Sequence, residues 1–511
     1  MKSVTSIRGQ PFQLSGKQKD HNVAESLRNE GILLFNTGKL FEALELFNKS
    51  LSAAQLDSPD IALAYCERSA VYFEVEEYQL CLDNIQLAHD HGKLPDDKIT
   101  KLRICEEDCR ELMASYVHDP DDNPWNFFKL SYAPHDKIPF IVNCVELQQS
   151  DNFGRFVITN QDLKPGDIIA IEEPFFKTVH IDSAHTRCAQ CLKSNKMSLI
   201  PSPISQTAMF CSTQCIEKAT RIFLQAENDS KMHDIKMQMF FEALAICGGD
   251  FEKLDLLMTD PELSNKTIFD FDLSDPSATD HDEKLLICIN SLVQVNKVSA
   301  EVKRCLENHP ALNLLKNQRH RDIALKFLIR AFRILTVNSF GIEWVIPSRP
   351  GDRNREAINT KLAGDGLCQF GSLLNHSCIP NIDRVFVDNK FVFFARRPIK
   401  KGQQLFTCYG TLFADAPREM RQETLKDEYE FICTCEACEN DFPSAPYYPW
   451  ANVPIIVTGA TKSSELIEKF KKNCNKIVKY EHISSHTELC EIMLRNLYCL
   501  VYIAKTEPFI F

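Results

Sequence analysis

Residues 371–381 read Gly-Ser-Leu-Leu-Asn-His-Ser-Cys-Ile-Pro-Asn, a polar run set after an apolar pair and closed by Pro380-Asn381. A histidine two residues from a cysteine offers two chemistries. In an extended segment residues at i and i+2 share a face, so His376 could activate Cys378 as a nucleophile. Cys378 could instead bind a metal. Cys433, Cys435 and Cys438 form C-x-C-x2-C, one thiolate short of a tetrahedral zinc site. Three orphan ligands need a fourth, and Cys378 is the candidate. That pairing would pin residues 375–381 to the C-terminal segment. A second group supplies its own complete set. Cys188 and Cys191 form C-x2-C, and Cys211 and Cys215 form C-x3-C after nineteen intervening residues. Two tight thiolate pairs suit one structural zinc. Both sets are closed, which argues against a zinc-dependent hydrolase, because hydrolysis needs an open metal position.

These groups sit in a chain of 511 residues, enough for two to four domains. Its 44% apolar and 25% charged residues are those of an ordinary globular protein. There is no run of 18 apolar residues and no apolar signal core near Met1–Asp20, so neither a membrane span nor secretion is expected. The expected setting is cytoplasm with access to the nucleus, where clustered cysteines point to metal before disulfides. The net charge of -12 is local: between Asp250 and Glu283 eleven acidic residues face only Lys253 and Lys266. The rest is near balance, and no basic block suggests a nucleic-acid groove.

Along the chain the hydrophobic period changes twice. Over residues 21–115 it is helical. Gly31, Phe35, Leu40, Ala43, Phe47 and Ser50 are matched by Ser69, Phe73, Tyr78, Cys81, Ile85 and Ala88, an offset of 38. Small residues at matched sites let helices pack closely, as in tetratricopeptide repeats, with a longer inter-repeat loop near Asp57-Ser58-Pro59. Residues 119–136, with Pro120, Pro124 and Pro134, read as a linker. Short apolar runs at 140–142, 156–158, 168–171, 385–387 and 391–394 predict strands, the last two joined by an Asp388-Asn389-Lys390 turn. Residues 216–249 and 284–340 predict helices flanking the acidic stretch, which reads as a solvated loop. Residues 460–511 also read as helical.

Six motifs in order resemble the SET and MYND family of protein-lysine methyltransferases over about 136–442. They are Gly154-Arg155 after a strand, Cys188 to Cys215, Asn338-Ser339-Phe340, Asn375-His376-Ser377-Cys378-x-Pro-Asn381, Lys401-Gly402-Gln403-Gln404-Leu405-x3-Tyr409, and Tyr429-x-Phe431-x-Cys433-x-Cys435-x2-Cys438. The repeat-like N-terminus resembles the subfamily of the fourth vertebrate member. The resemblance implies an α+β multidomain fold: tetratricopeptide-like helical repeats (21–115), a β-rich SET domain in two halves (136–187 and 338–410), a MYND-like zinc module (188–237), a helical insert (238–337, with an acidic loop at 250–283), a post-SET zinc segment (411–442) and a short helical C-terminal region (443–511). It implies S-adenosylmethionine as methyl donor, contacted by Phe153, Gly154, Arg155, Asn338, Asn375, His376, Tyr409 and Phe431. Tyr409 would be catalytic and Tyr429 would wall the lysine channel. Two structural zincs are implied, one on Cys188, Cys191, Cys211 and Cys215, the other on Cys378, Cys433, Cys435 and Cys438. A monomer is expected, with a protein substrate and with protein partners recruited by the repeats; no membrane or nucleic-acid partner is expected.

The sequence departs from the family in three places. The second MYND zinc has lost its ligands: no cysteine pair lies between 191 and 211, and the later His-x3-Cys is at best His233 to Met237. The second glycine of the cofactor loop is Phe156, expected to crowd the cofactor. Only about fifty residues follow Ala460, so the C-terminal domain is expected to be short, as in a truncated isoform, with a wider substrate cleft. An alternative to the enzyme is therefore a SET-fold scaffold of weak or no turnover that binds partner proteins through the repeats and the MYND-like module.

Overall fold

The computed structural model describes residues 19–55, 58–92, 94–115, 123–203, 205–223, 235–296, 298–313, 315–346, 359–444, 463–480 and 487–504. His233 lies outside them. Asp20 caps α1 (His21–Asn36) by accepting from the Asn22 and Val23 N–H groups, and Gly38 turns the chain at φ +73° into α2 (Leu40–Ala53). Pro59 opens α3 (Pro59–Glu74), which pairs with α4 (Tyr78–Asp90). The second pair begins 38 residues after the first, as the matched positions predict. Gly31 shows why small residues recur: a Cβ there would come within 2.6 Å of the Phe47 ring. α5 (Asp96–Ser115) packs on α4.

After the 3-10 turn at Pro124–Asn126 come β1 (Pro134–His135), β2 (Ile138–Val142), β3 (Val145–Ser150), β4 (Gly154–Thr159), β5 (Ile168–Glu172) and β6 (Phe176–Val179). The 119–136 stretch, read as a linker, does structural work in its described part. Trp125 donates to Asp388 at 2.7 Å, and the Phe127 ring stands 5.6 Å from that of Phe470. Its aromatic residues are too apolar to stay in water, so they dock the segment on the core.

The cysteine-marked module holds β7 (Ile200–Pro201), β8 (Met209–Phe210) and α6 (Thr213–Phe223). It shares one apolar core with the repeats. The joint is also polar and buried. Asn48 donates to the carbonyls of His185 and Met197, and Tyr72 to that of Lys196. Arg68, fully buried, donates to Asn84 Oδ1 (2.6 Å), Asn48 Oδ1 (2.7 Å) and the Leu199 carbonyl (2.7 Å).

The helical insert comprises α7 (Ile235–Ile246), α8 (Phe251–Thr259), α9 (His281–Cys288), α10 (Ala300–Glu307), α11 (Pro310–Asn313) and α12 (Gln318–Asn338). The acidic stretch is corrected here: it is not a solvated loop throughout. Asp250 caps α8, and Leu254, Leu257 and Met258 bury one face against α12 while Glu252 stays exposed. Arg319 and Lys326 of α12 pair with Asp255.

The second run of strands is β9 (Ser339–Ile346), β10 (Asn359–Leu367), β11 (Asn375–His376), β12 (Ile382–Val387), β13 (Lys390–Ala395) and β14 (Phe406–Thr407). They interleave with the first run. The main sheet has the order β1-β2-β5-β13-β12, and another has β6-β10-β9. The β12–β13 hairpin turns at Asp388-Asn389, with Val387 opposite Lys390 and Asp388 at φ +55°. α13 (Arg418–Tyr429) and α14 (Glu436–Glu439) follow, then α15 (Ser463–Ile477) and α16 (Thr487–Ala504), which pack together, with α16 also against β12. Among the described residues no helix is long and apolar enough to cross a membrane.

One buried carboxylate locks the two runs together. Glu172 at the end of β5 accepts from the N–H groups of Gln369 (2.5 Å), Phe370 (3.0 Å) and Gly371 (3.1 Å), just before the Asn375-His376 strand. Burial pushes its carboxyl up to about 7, against the downward pull of those N–H groups.

Two outcomes follow from these buried charges. Arg68→Leu strands three buried acceptors, which should cost roughly 3–5 kcal/mol and lower the urea midpoint, with proteolysis opening residues 185–215; an unchanged midpoint would show that the joint is not held this way. For Glu172, the folded chain keeps a proton between the ordinary glutamate range and about 7 that the unfolded chain has released. Stability should therefore fall as pH rises through that window, by roughly 3 kcal/mol in total. Urea titrations of wild type and Glu172→Gln should diverge with pH across it, whereas parallel curves would refute the assignment.

Candidate active site

The site is assembled by a parallel pairing of two short strands. Asn375 stands opposite Phe406 and His376 opposite Thr407. The Ser377 N–H continues the ladder to the Thr407 carbonyl at 2.9 Å. Asn381 closes it from both sides, donating to the Gln404 carbonyl and accepting from the Phe406 N–H. The Pro380-Asn381 end of the motif thus sets the register that delivers Tyr409.

Asn375 also reaches across to the β3–β4 turn. Its Nδ2 donates to the carbonyls of Phe153 and Arg155, both at 3.2 Å. Gly154 has φ +61°, and nothing lies within 4 Å of where its Cβ would be, so the glycine serves backbone conformation here. The Arg155 side chain turns to the Ser291 carbonyl. Phe156 pairs with Gln148 in the hairpin, and its ring meets that of Phe153 at 6.0 Å.

Four rings cluster at the site, those of Tyr409, Tyr429, His376 and Phe431. Tyr409 and Tyr429 stack obliquely at 5.0 Å, His376 lies 5.2 Å from Tyr409, and Phe431 lies 5.9 Å from His376. The Tyr409 hydroxyl donates to the Leu374 carbonyl at 2.9 Å, and the Tyr429 hydroxyl to the Tyr409 carbonyl at 2.8 Å. Burial pushes the Tyr409 hydroxyl well above the ordinary range, so it stays protonated at neutral pH. His376 Nδ1 accepts from the Tyr409 N–H at 3.0 Å, which assigns its proton to Nε2, 3.3 Å from Cys378 Sγ. Burial holds this imidazole down at about 4, hence neutral. His376 is therefore a bridge from the Tyr409 backbone to the sulphur cluster.

A cavity of about 720 Å³ opens beside these groups. Phe153, Asn338, Asn375 and His376 line it, as do Tyr409, Tyr429 and Phe431. Gly154, Arg155 and Phe156 do not, so Phe156 does not crowd this space. The Asn338 amide nitrogen is spent on the Val293 and Ile334 carbonyls. The volume falls in the range of small-molecule sites.

Both cysteine sets converge. The ligand atoms of Cys378, Cys433, Cys435 and Cys438 lie within 4.8 Å of one another, and so do those of Cys188, Cys191, Cys211 and Cys215. Cys378 and Cys438 sulphurs are 3.6 Å apart and those of Cys191 and Cys211 3.5 Å, separations that suit sulphurs sharing one tetrahedral ion with bonds of about 2.3 Å. The donor chemistry fits zinc in each. Cys378 thus sits among thiols that could hold a metal ion, with His376 on its sulphur as a supporting donor.

Two groups escaped the sequence reading. Arg421 of α13 is buried and directs Nη2 at Cys438 Sγ (3.7 Å) and Nη1 at the Ala416 carbonyl, so a cation faces the sulphur set. Its position in an acidic, polar helix gave no signal. Glu172 ended a strand like any exposed residue; only the fold shows it to be enclosed.

Comparison with known proteins agrees with this geometry. Residues 154–410, about half of the chain, match the SET domain family. The chain is 19% identical to the human protein-lysine N-methyltransferase SMYD4 over 83% of its own length and 68% of that protein's. It is 24% identical to a SET and MYND domain-containing protein of Dictyostelium discoideum, over 66% of this chain and 96% of the other. It is 26% identical to the mouse histone-lysine N-methyltransferase SMYD3, over 58% and 61%. Cavity, aromatic cluster and paired strands all fall within or beside the matched span, and the chain belongs to the SET domain family, resembling its SET and MYND members of the SMYD4 kind.

Proposed function

We propose that the chain is an S-adenosylmethionine-dependent protein-lysine N-methyltransferase, and that Tyr409 orients the reacting amine. The observation that carries this reading is the Tyr409 hydroxyl, bonded to the Leu374 carbonyl and enclosed by Tyr429 and His376 beside the 720 Å³ cavity. The names of the relatives give the same activity.

A free lysine amine titrates at about 10.4 and must lose its proton before it can attack carbon. An enclosure of aromatic rings disfavours the ammonium form by desolvation. The Tyr409 oxygen, with its O–H directed at the Leu374 carbonyl, keeps lone pairs that accept an amine N–H. The hydroxyl and the neighbouring carbonyl then fix the direction of the amine lone pair, which is catalysis by positioning. Asn375, His376, Asn338, Phe153 and Phe431 would hold the methyl donor, with Gly154 and Arg155 shaping the turn above it. When bound, S-adenosylmethionine supplies a methyl group on a sulphonium, an electrophile that needs no metal. The two cysteine sets would each hold a structural zinc, the first in a MYND-like module with a single ion.

A SET-fold scaffold of weak or no turnover, binding partners through the repeats and the cysteine module, is the second reading.

Calorimetric titration with S-adenosylmethionine and radiolabel transfer to mixed cell proteins test both. Tyr409→Phe should retain cofactor binding and lose at least about a hundredfold in transfer. Asn375→Ala, which frees the Phe153 and Arg155 carbonyls, should weaken cofactor binding about tenfold, or 1.4 kcal/mol. Binding without Tyr409-dependent transfer selects the scaffold; no binding by the wild type rejects the enzyme.

A further inference from the structure

The repeats carry a third sulphur cluster that neither the methyl-transfer site nor the two four-thiol sets uses. Cys81 of α4 and Cys105 and Cys109 of α5 place three Sγ atoms within 4.8 Å of one another. Cys81 and Cys105 sulphurs are 3.5 Å apart, the separation found between Cys191 and Cys211 in a set shaped for zinc. Cys105 and Cys109 are one helical turn apart, so both face α4. Cys81 and Cys109 are fully buried, while Cys105 is partly open to solvent. Packing does not require sulphur here: Ala43 fills the position in the first pair that Cys81 fills in the second. Nor is the cluster a disulfide, since 3.5 Å far exceeds a bond of about 2.05 Å.

We propose that Cys81, Cys105 and Cys109 form a three-thiolate site for a soft d10 metal ion, Zn²⁺ or Cu⁺. Among the described residues no fourth histidine, cysteine or carboxylate ligand joins the group. Cu⁺ is satisfied by thiolates alone, and Zn²⁺ would complete its shell with water on the open Cys105 side. Binding forms the metal–sulphur bonds and releases the thiol protons to solvent. The ion would clamp α5, the last repeat helix, to α4.

The test uses the full chain and Cys105→Ser, which alters the most accessible sulphur and leaves the other sets intact. Both are loaded under reducing conditions with Zn²⁺ in one arm and Cu⁺ in the other, desalted and counted by elemental mass spectrometry. The variant should bind one metal equivalent fewer in the arm whose ion the site takes, with unchanged helical circular dichroism. Because the readout is a difference, occupancy of the other sets does not enter. Equal counts in both arms would overturn the proposal. A second measurement needs no variant: in the native wild type, Cys105 should resist iodoacetamide when loaded and react after chelation. Equal labelling in the two states, or a Cys81–Cys105 disulfide in the reduced preparation, would overturn it as well.

Discussion

The pairing of residues 375–376 with 406–407 is the constraint on which the site rests. Everything that could act on a substrate hangs from it: Asn375 on one side, His376 at the centre, Tyr409 just beyond the partner strand. Two residues per strand make a ladder worth little, since each hydrogen bond nets about 1 kcal/mol. So brief a pairing does not hold itself. It is held from outside, by Glu172 on the preceding turn, by Asn381 across the following one, and by Cys378 among the thiols of residues 433–438. A structural zinc is worth on the order of 10 kcal/mol, far more than the others, and would decide whether the site exists. His376 makes that dependence direct, because one ring touches both the Tyr409 backbone and the ligand sulphur.

What the sequence disclosed followed from short-range rules. The 38-residue offset was legible because helix contact demands small residues at fixed positions, as Gly31 against Phe47 shows. Strands at 168–171 and 391–394 announced themselves as buried apolar runs, and the thiol sets by ligand spacing. Buried charges were invisible. Glu172, Arg421 and Arg68 look like surface residues until partners 197, 17 and 131 positions away enclose them. Charge density also misled in the opposite direction. The carboxylates of 250–283 concealed Leu254, Leu257 and Met258 at helical spacing, and the prolines of 119–136 concealed the aromatic anchor at Trp125 and Phe127.

The cysteine module shows how one kind of restraint can replace another. Its sequence keeps ligands for a single ion, yet the segment from Ser194 to Ser202 is not left loose. The carbonyls of Lys196, Met197 and Leu199 are taken by Tyr72, Asn48 and Arg68 of the repeats. Donors from a neighbouring helical surface order this segment, and the module and the repeats share a common core.

The interleaved main sheet has a consequence for how the chain comes into being. β5 lies between β2 and β13, so the first half of the SET domain has an open strand edge until residues 390–395 exist. More than two hundred residues, the cysteine module and the helical insert among them, must be made in between. During synthesis at about 5–20 residues per second that edge stands exposed for at least ten seconds, a hazard for edge-to-edge aggregation. The repeats precede all of this, rely on local contacts, and can be complete before the cysteine module emerges. They are thus placed to act as a template in cis, receiving the 185–202 segment while the sheet still waits for its last strands.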